Sequence, residues 1–308
     1  MEEQIDNQLL LKYSIKDLEK ISGIKAHTLR IWEQRYNILK PCRSETNIRS
    51  YTNNDLKMLL NISLLNNNGV KISKIAEMEP HEIYSAVHEL SQKEFESNFQ
   101  IDNLVISMVD MDEERFEKAI SNNILKIGFD KTINEVIYPF LKKIAVLWIT
   151  DSINPAQEHF ISNLIRQKLI SAIDAQVIRR ENAKSKFMLY LPEHELHEIS
   201  LLYYHYRLRD LNFKSYYLGQ SVPFEDLQKV YAVHQPEYLF TIITSTIPHQ
   251  SLQAYLNNIA NSFPFSTIIV SGYQFINQKI NYPTNIKVFK DPQEFVNLID
   301  LMEIKAVH

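Results

Sequence analysis

Glycine is scarce, at five residues in 308, and none of the five builds a GxGxxG or Walker-type loop, so a glycine cradle for nucleotide phosphates is excluded. Cysteine is scarcer. The single Cys42 excludes an intrachain disulfide and a thiolate cluster for a metal, and between Pro41 and Arg43 it reads as a surface loop residue. No apolar run approaches the roughly 18 residues that a membrane span needs, and residues 1–7 are acidic rather than basic, which predicts a cytoplasmic protein with no membrane partner. No Ser/His/Asp arrangement or dense carboxylate cluster supports an enzyme. What is present is ordinary globular material: 45% hydrophobic and 23% charged residues, in a chain long enough for two or three domains.

The formal net charge of -4 is unevenly distributed. Lysine and arginine outnumber the acids within residues 1–78, and the excess acid lies beyond them. A small basic domain at the front is the electrostatic footprint that binding to DNA phosphates needs.

Three patterns follow one another. Up to Glu79-Pro80, short helical segments are punctuated at Ser22-Gly23 and Lys40-Pro41. From His81 to Arg180 the apolar residues recur at three and four spacing, as in Val105, Met108 and Val109, or Phe140, Ile144 and Leu147, which predicts a helical bundle. After a charged link over Arg179 to Lys186, short β-branched runs alternate with helix-length amphipathic ones. The predicted strands are Phe187 to Leu191, Ser215 to Leu218, Tyr238 to Thr244, Thr267 to Ser271 and Ile286 to Phe289. Helices are predicted from near Glu195, Pro223, His249 and Tyr273, with a last one over Asp291 to Met302. Such a βα alternation winds into a parallel sheet with helices on both faces. The expected class is therefore multidomain, α and α/β, with segments 1–79, 80–182 and 183–308.

In the first segment Ser14 is placed to cap a helix with an apolar face of Ile15, Leu18 and Ile21. Gly23 makes the turn, and Lys25 to Arg35 supply a second helix in helix-turn-helix order. On that second helix Leu29 and Trp32 face inward, while Thr28, Arg30, Glu33 and Arg35 project outward toward phosphates or base edges. Pro41 to Tyr51 fits a β-hairpin wing. The string His27-Thr-Leu-Arg-Ile-Trp-Glu-Gln-Arg-Tyr36, then Pro41-x-Arg43 and Arg49-x-Tyr51, resembles the MerR family signature, with Asn37 where that family has glycine. The resemblance implies a winged helix-turn-helix that binds double-stranded promoter DNA as a homodimer or homotetramer. It assigns DNA-binding roles to Arg30, Trp32, Glu33, Arg35 and Tyr36 in the recognition helix, with Lys16 and Thr28 beside them, and to Arg43, Arg49 and Tyr51 in the wing.

Two further motifs lie downstream: Trp148 followed by Glu158-His159, and Glu195-Leu-His197-Glu-Ile-Ser200 after the first strand. Open parallel sheets bind ligands beyond the carboxyl ends of their strands, where His197 falls, and a carboxylate such as Glu195 fixes the tautomer of a metal-ligating imidazole. The combination resembles the cobalamin-binding regulators of the CarH and LitR type, in which a MerR domain precedes a helical bundle and a flavodoxin-like cobalamin domain. By that resemblance Trp148, Glu158 and His159 face the upper ligand of adenosylcobalamin or a related cobalamin. His197, supported by Glu195, is the metal ligand to cobalt, and Ser200, Ser245 and Gly272 border the displaced nucleotide tail. Ser200 stands where the family motif has glycine. Ser245-Thr246-Ile247 stands for Ser-x-Leu, and Ser271-Gly272 for Gly-Gly. Ile149 replaces the histidine that light-sensing members carry after the tryptophan, so their bis-histidine photoproduct is not expected. The expected function is a DNA-binding regulator, a repressor by analogy, whose cobalamin state controls oligomerisation and promoter binding. Two alternatives accompany it: an effector half that works without cobalamin, for dimerisation or for a protein antirepressor, and a corrinoid carrier.

Overall fold

In the computed structural model the described residues are 13–39, 41–43, 47–93, 97–149, 153–177, 184–247, 250–276 and 279–306, with the backbone alone at 88–93, 97–98, 148–149, 184 and 300–306. The chain divides into two compact units, Met1–Asn163 and Leu164–His308.

The first unit opens with α1 (Ile15–Ser22), where Ser14 and Asp17 form a reciprocal capping box and Gly23 ends the helix at φ +76°. α2 (Ala26–Tyr36) ends at Asn37, whose φ of +53° is the left-handed conformation that asparagine tolerates in place of glycine. Strands β1 (Cys42–Arg43) and β2 (Arg49–Ser50) pair antiparallel with Arg43 opposite Arg49, forming the expected wing. α3 (Asn53–Asn67) starts at a second capping box, Thr52 with Asp55, and buries Leu56, Leu59, Leu60, Ile62, Leu64 and Leu65. A helix apolar on nearly every side belongs at the centre of a core.

Beyond the short α4 (Ile72–Ile75) come α5 (Pro80–Lys93), α6 (Ser97–Asp110) and α7 (Glu113–Ile127). α8 (Phe129–Thr132), a π-helical turn at Ile133–Ile137, α9 (Tyr138–Ile149) and α10 (Pro155–Asp174) follow. α3 packs against both α5 and α6, so the wing domain and these helices share one core.

The second unit is built on five parallel strands: β3 (Lys184–Pro192), β4 (Phe213–Val222), β5 (Tyr238–Ile242), β6 (Thr267–Ser271) and β7 (Ile286–Val288). Their order across the sheet is β4-β3-β5-β6-β7, the doubly wound arrangement expected. α11 (Ile199–Asp210), α12 (Phe224–His234), α13 (Leu252–Ser262) and α14 (Pro292–Ala306) connect or follow them. Successive strand residues face opposite ways. Met188, Tyr190, Leu239, Ile268 and Val270 join Tyr255, Leu256 and Ile259 of α13 in one buried layer. Phe240 instead packs with Tyr204 of α11, Phe289, and Phe295 of α14.

Several boundaries differ from the sequence reading. The helix expected from Glu195 starts at Ile199, because Glu195 is buried and engaged in the preceding loop. β4 is longer at both ends than Ser215 to Leu218, since it pairs along most of β3, and β3 itself takes in the end of the expected charged link. The helix placed near His249 begins at Leu252 behind the cap Ser251, and His249 lies outside the described residues. The helix at Tyr273 is a single 3-10 turn. No helix among the described residues is long and apolar enough to cross a membrane.

Candidate functional site

The helix-turn-helix is tied together at its edges before it presents anything to a ligand. Glu19 of α1 accepts the Ala26 N–H at 3.1 Å and pairs with Lys25 at 3.3 Å, which seats the start of α2. Backbone bonds between Tyr13 and Tyr51, 2.8 and 2.9 Å, fasten the entry of α1 to the end of the wing. Lys16, Arg30, Arg35 and Arg43 are exposed, Thr28 and Tyr36 are half-buried, and the Arg35 guanidinium lies over the Tyr36 ring at 5.5 Å. Exposed cations on α1, α2 and the wing are what a phosphate-tracking surface requires.

Three of the expected DNA-contacting residues turn inward. Trp32 is buried in the core beside Leu29. Glu33, expected to project outward, keeps only 10% of its side chain exposed and receives Arg49 Nε at 3.1 and 3.2 Å and the Tyr51 hydroxyl at 3.3 Å. Arg43 stands 3.7 Å from the same carboxylate. Tyr51 is 1% exposed, so it cannot track a DNA backbone. Burial, with the Glu33 charge beside it, pushes its hydroxyl up to about 12, which keeps it a hydrogen-bond donor. Glu33 therefore clamps the wing to α2, with Arg49 and Tyr51 as the arms of the clamp. A glutamate on an otherwise exposed helical face carries no sequence signal for that role, because the wing that meets it lies 16 to 18 residues away.

The second site forms where the loops after β3 and β5 meet, at the point where the sheet order reverses direction. Glu195 is 4% exposed, and its carboxylate is surrounded by donors. Oε2 accepts the N–H groups of Thr244 and Ser245, both at 2.7 Å; Oε1 accepts the His197 N–H at 3.1 Å and lies 2.6 Å from His197 Nδ1. Burial alone would raise this carboxyl, but the His197 ring and the backbone donors of Ser245, His197 and Thr244 outweigh it and bring Glu195 down to about 2. An ionised Glu195 makes Nδ1 the protonated nitrogen of His197 and leaves the basic lone pair on Nε2. The His197 side chain is 64% exposed. Ser245 Oγ stands 3.3 Å from the same Nδ1.

Such a donor set suits a metal that arrives inside its own macrocycle. Among the described residues no group of three or more His, Cys, Asp or Glu is placed to hold a bare ion, whereas one oriented imidazole suffices as an axial ligand. Ser200 sits half-buried in the first turn of α11, three residues after His197. The Ser271 hydroxyl donates to the Phe289 carbonyl at 2.8 Å and is thereby stowed against the sheet. Gly272, at φ +121°, is required by the fold itself: a Cβ there would stand 2.3 Å from the Ile243 carbonyl oxygen.

Sequence reasoning missed the brace behind the His197 loop. Glu198, next to His197, accepts the Tyr217 hydroxyl at 2.9 Å and pairs with Arg166 at 2.8 Å, anchoring the start of α11 from two sides. Of the remaining candidates, Glu158 and His159 are adjacent in the first turn of α10, with His159 Nδ1 2.8 Å from Glu158 Oε2 and Ser162 Oγ donating to Glu158 at 2.6 Å. Trp148 lies near the end of α9, and its side chain is outside the described residues.

With this geometry in place, comparison with known proteins gives two family matches: MerR HTH family regulatory protein over residues 13–82 and B12 binding domain over residues 100–171. The chain joins a MerR-type helix-turn-helix to a B12-binding domain. The MerR-type match contains α1, α2, the wing and α3, and the B12-binding match contains Trp148, Glu158 and His159. The His197 loop lies outside both stretches, so its reading rests on its own geometry. The HTH-type transcriptional repressor CarH of Myxococcus xanthus is 25% identical over 258 residues, covering 82% of this chain and 85% of CarH. The repressor CarA of the same organism is 23% identical over 261 residues, covering 83% and 85%. Among solved structures, the monomethylamine corrinoid protein of Methanosarcina barkeri shares the fold, with a TM-score of 0.51 at 12% identity over 66% of this chain and 98% of its own.

Proposed function

We propose that the chain is a transcriptional repressor that binds promoter DNA as a homodimer or homotetramer and whose oligomeric state responds to an adenosyl-type cobalamin held through His197. The observation that carries the cobalamin half is the His197 imidazole, fixed by a buried, ionised Glu195 with Nε2 as its basic nitrogen. The names of CarH and CarA support repression as the output. A bound cobalamin would supply cobalt–carbon chemistry as the input. The residues of this chain supply the rest. Glu195 holds the imidazole proton at Nδ1, and Thr244 and Ser245 hold Glu195. Glu158 and His159 would be the polar pair that the helical segment contributes, and Lys16, Arg30, Arg35 and Arg43 carry the charge that meets phosphate.

Titration of the full chain with adenosylcobalamin in darkness, followed by absorbance, tests this reading, with His197→Ala in parallel. The expected outcome is a stoichiometric base-off spectrum with imidazole as lower ligand, lost in the variant, and a change of oligomer on size exclusion before and after illumination. Normal uptake by His197→Ala would remove His197 from the role. A second reading keeps DNA binding but gives the effector half to dimerisation or a protein antirepressor. The side chains at Ser200 and Ser271, where the resembling family has glycine, favour it, and it predicts no corrinoid uptake at all.

A further inference from the structure

A buried side chain of the B12-binding stretch is bonded to the entrance of the MerR-type stretch. Gln157 lies in the first turn of α10 and is 2% exposed. It takes part in a reciprocal cap, in which the Asn154 N–H donates to Gln157 Oε1 at 3.2 Å and the Gln157 N–H donates to Asn154 Oδ1 at 2.9 Å. That cap starts the helix. One hydrogen of the Nε2 amide goes to the Val109 carbonyl at 3.1 Å, among the last carbonyls of α6, which have no partner within their own helix. The other goes to the hydroxyl of Tyr13, at the start of the MerR-type stretch. One residue thus holds three elements.

Tyr13 passes that hold on to the DNA-binding surface. Its hydroxyl donates to Asn53 Oδ1, in the first turn of α3, at 3.3 Å, and its backbone N–H and C=O both pair with Tyr51. Tyr51 in turn donates to Glu33 of α2, the carboxylate that clamps Arg49. A run of hydrogen bonds therefore leads from α10 through the end of the wing to α2. Burial raises the Tyr13 hydroxyl above its ordinary value, so it stays protonated and keeps donating to Asn53. The Lys57–Asp110 pair, at 2.9 Å, ties α3 to the end of α6 separately, so the docking of those two helices does not depend on Gln157.

We propose that Gln157 is a positioning residue for operator binding: it holds Tyr13, and through Tyr13 the wing, in the place from which wing and α2 meet DNA together. A glutamine suits the task because its amide offers two donors on one atom and an acceptor on the other; leucine offers neither, and an ionised glutamate no donor. Gln157 directly precedes Glu158 and His159, so the joint that sets the wing lies in the same helical turn as that candidate effector pair.

The experiment compares the full chain with Gln157→Leu and Tyr13→Phe, by amide hydrogen exchange and by gel shifts on a duplex that the unaltered chain selects from a random library. Exchange at Tyr13 and Tyr51 is expected to quicken in Gln157→Leu by on the order of tenfold, as the loss of a buried hydrogen bond allows, while the amides of α7 keep their rates. Operator affinity should fall roughly three- to tenfold in each variant, with its salt dependence unchanged because the phosphate contacts remain. Combined, the two substitutions should weaken binding no more than the stronger one alone, since both break the same bond. A merely structural role would quicken exchange evenly through the unit, and independent roles would add. Either result, or an operator affinity untouched by Gln157→Leu, overturns the proposal. A chain that selects no duplex denies DNA binding and the proposal with it, whereas selection with unaltered exchange denies the proposal alone.

Discussion

The Glu195 carboxylate receives four hydrogen bonds, two of them from residues nearly fifty positions downstream. Its folded pKa of about 2 lies below the ordinary carboxylate value of 4.5, so the stability it contributes is complete above pH 4.5 and is lost as pH falls toward 2. At ~1.36 kcal/mol per unit that contribution is about 3 kcal/mol. His205 acts in a higher window. Burial first, and Arg209 second, hold its imidazole down to about 4, and it stacks on Tyr217 with ring centroids 5.0 Å apart. An imidazole that stays neutral when folded stabilises fully above its unfolded value of 6.5 and loses that contribution as pH falls toward 4. Urea midpoints of the full chain are therefore expected to fall between pH 6.5 and 4. His205→Phe, which keeps the stacked ring, should flatten that fall, and an unchanged pH profile in the variant would assign the loss to other groups.

At the scale of elements, the wing and α2 form one body because Glu33 clamps Arg49 and Tyr51. Glu33→Ala leaves a half-buried arginine without its partner and is expected to cost on the order of 2 kcal/mol of stability, with operator affinity falling at the same time. Arg30→Ala should separate the two effects. Arg30 is exposed, so its loss is expected to change stability by less than about 0.5 kcal/mol while reducing the salt dependence of operator binding by roughly one phosphate contact. Denaturant melts and gel shifts over a salt series distinguish clamp from contact; similar melts for both variants would deny Glu33 its clamping role. The carboxyl ends of β5 and β6 form a second junction, closed by Gly272 against Ile243. Gly272→Ala combines φ +121° with a 2.3 Å approach to backbone and is expected to cost at least about 2 kcal/mol, read as a lower melting temperature.

For the whole molecule, charge is segregated by job. The MerR-type front carries an excess of lysine and arginine, the electrostatic sign that DNA phosphates attract, and the remainder carries the excess acid. A helix-turn-helix that reads two half-sites needs two copies related by symmetry, so two chains are expected per operator. Sedimentation of the chain on a fluorescent operator fragment measures this directly, and a single chain per fragment would exclude a symmetric complex.

Local grammar was enough for much of this protein. Ser14 and Thr52 begin helices because a hydroxyl three residues ahead of an aspartate satisfies backbone donors within one turn. The five strands show themselves because a parallel sheet covered on both faces needs unbroken apolar runs. The His197 motif was legible for the same reason, since both partners lie two residues apart. The sequence could not tell outward from inward at Glu33 and Tyr51, nor that Thr244 and Ser245 would complete the shell of Glu195. In each of those cases the partners are separated by a dozen or more residues, and only chain closure in three dimensions brings them within hydrogen-bonding or contact distance.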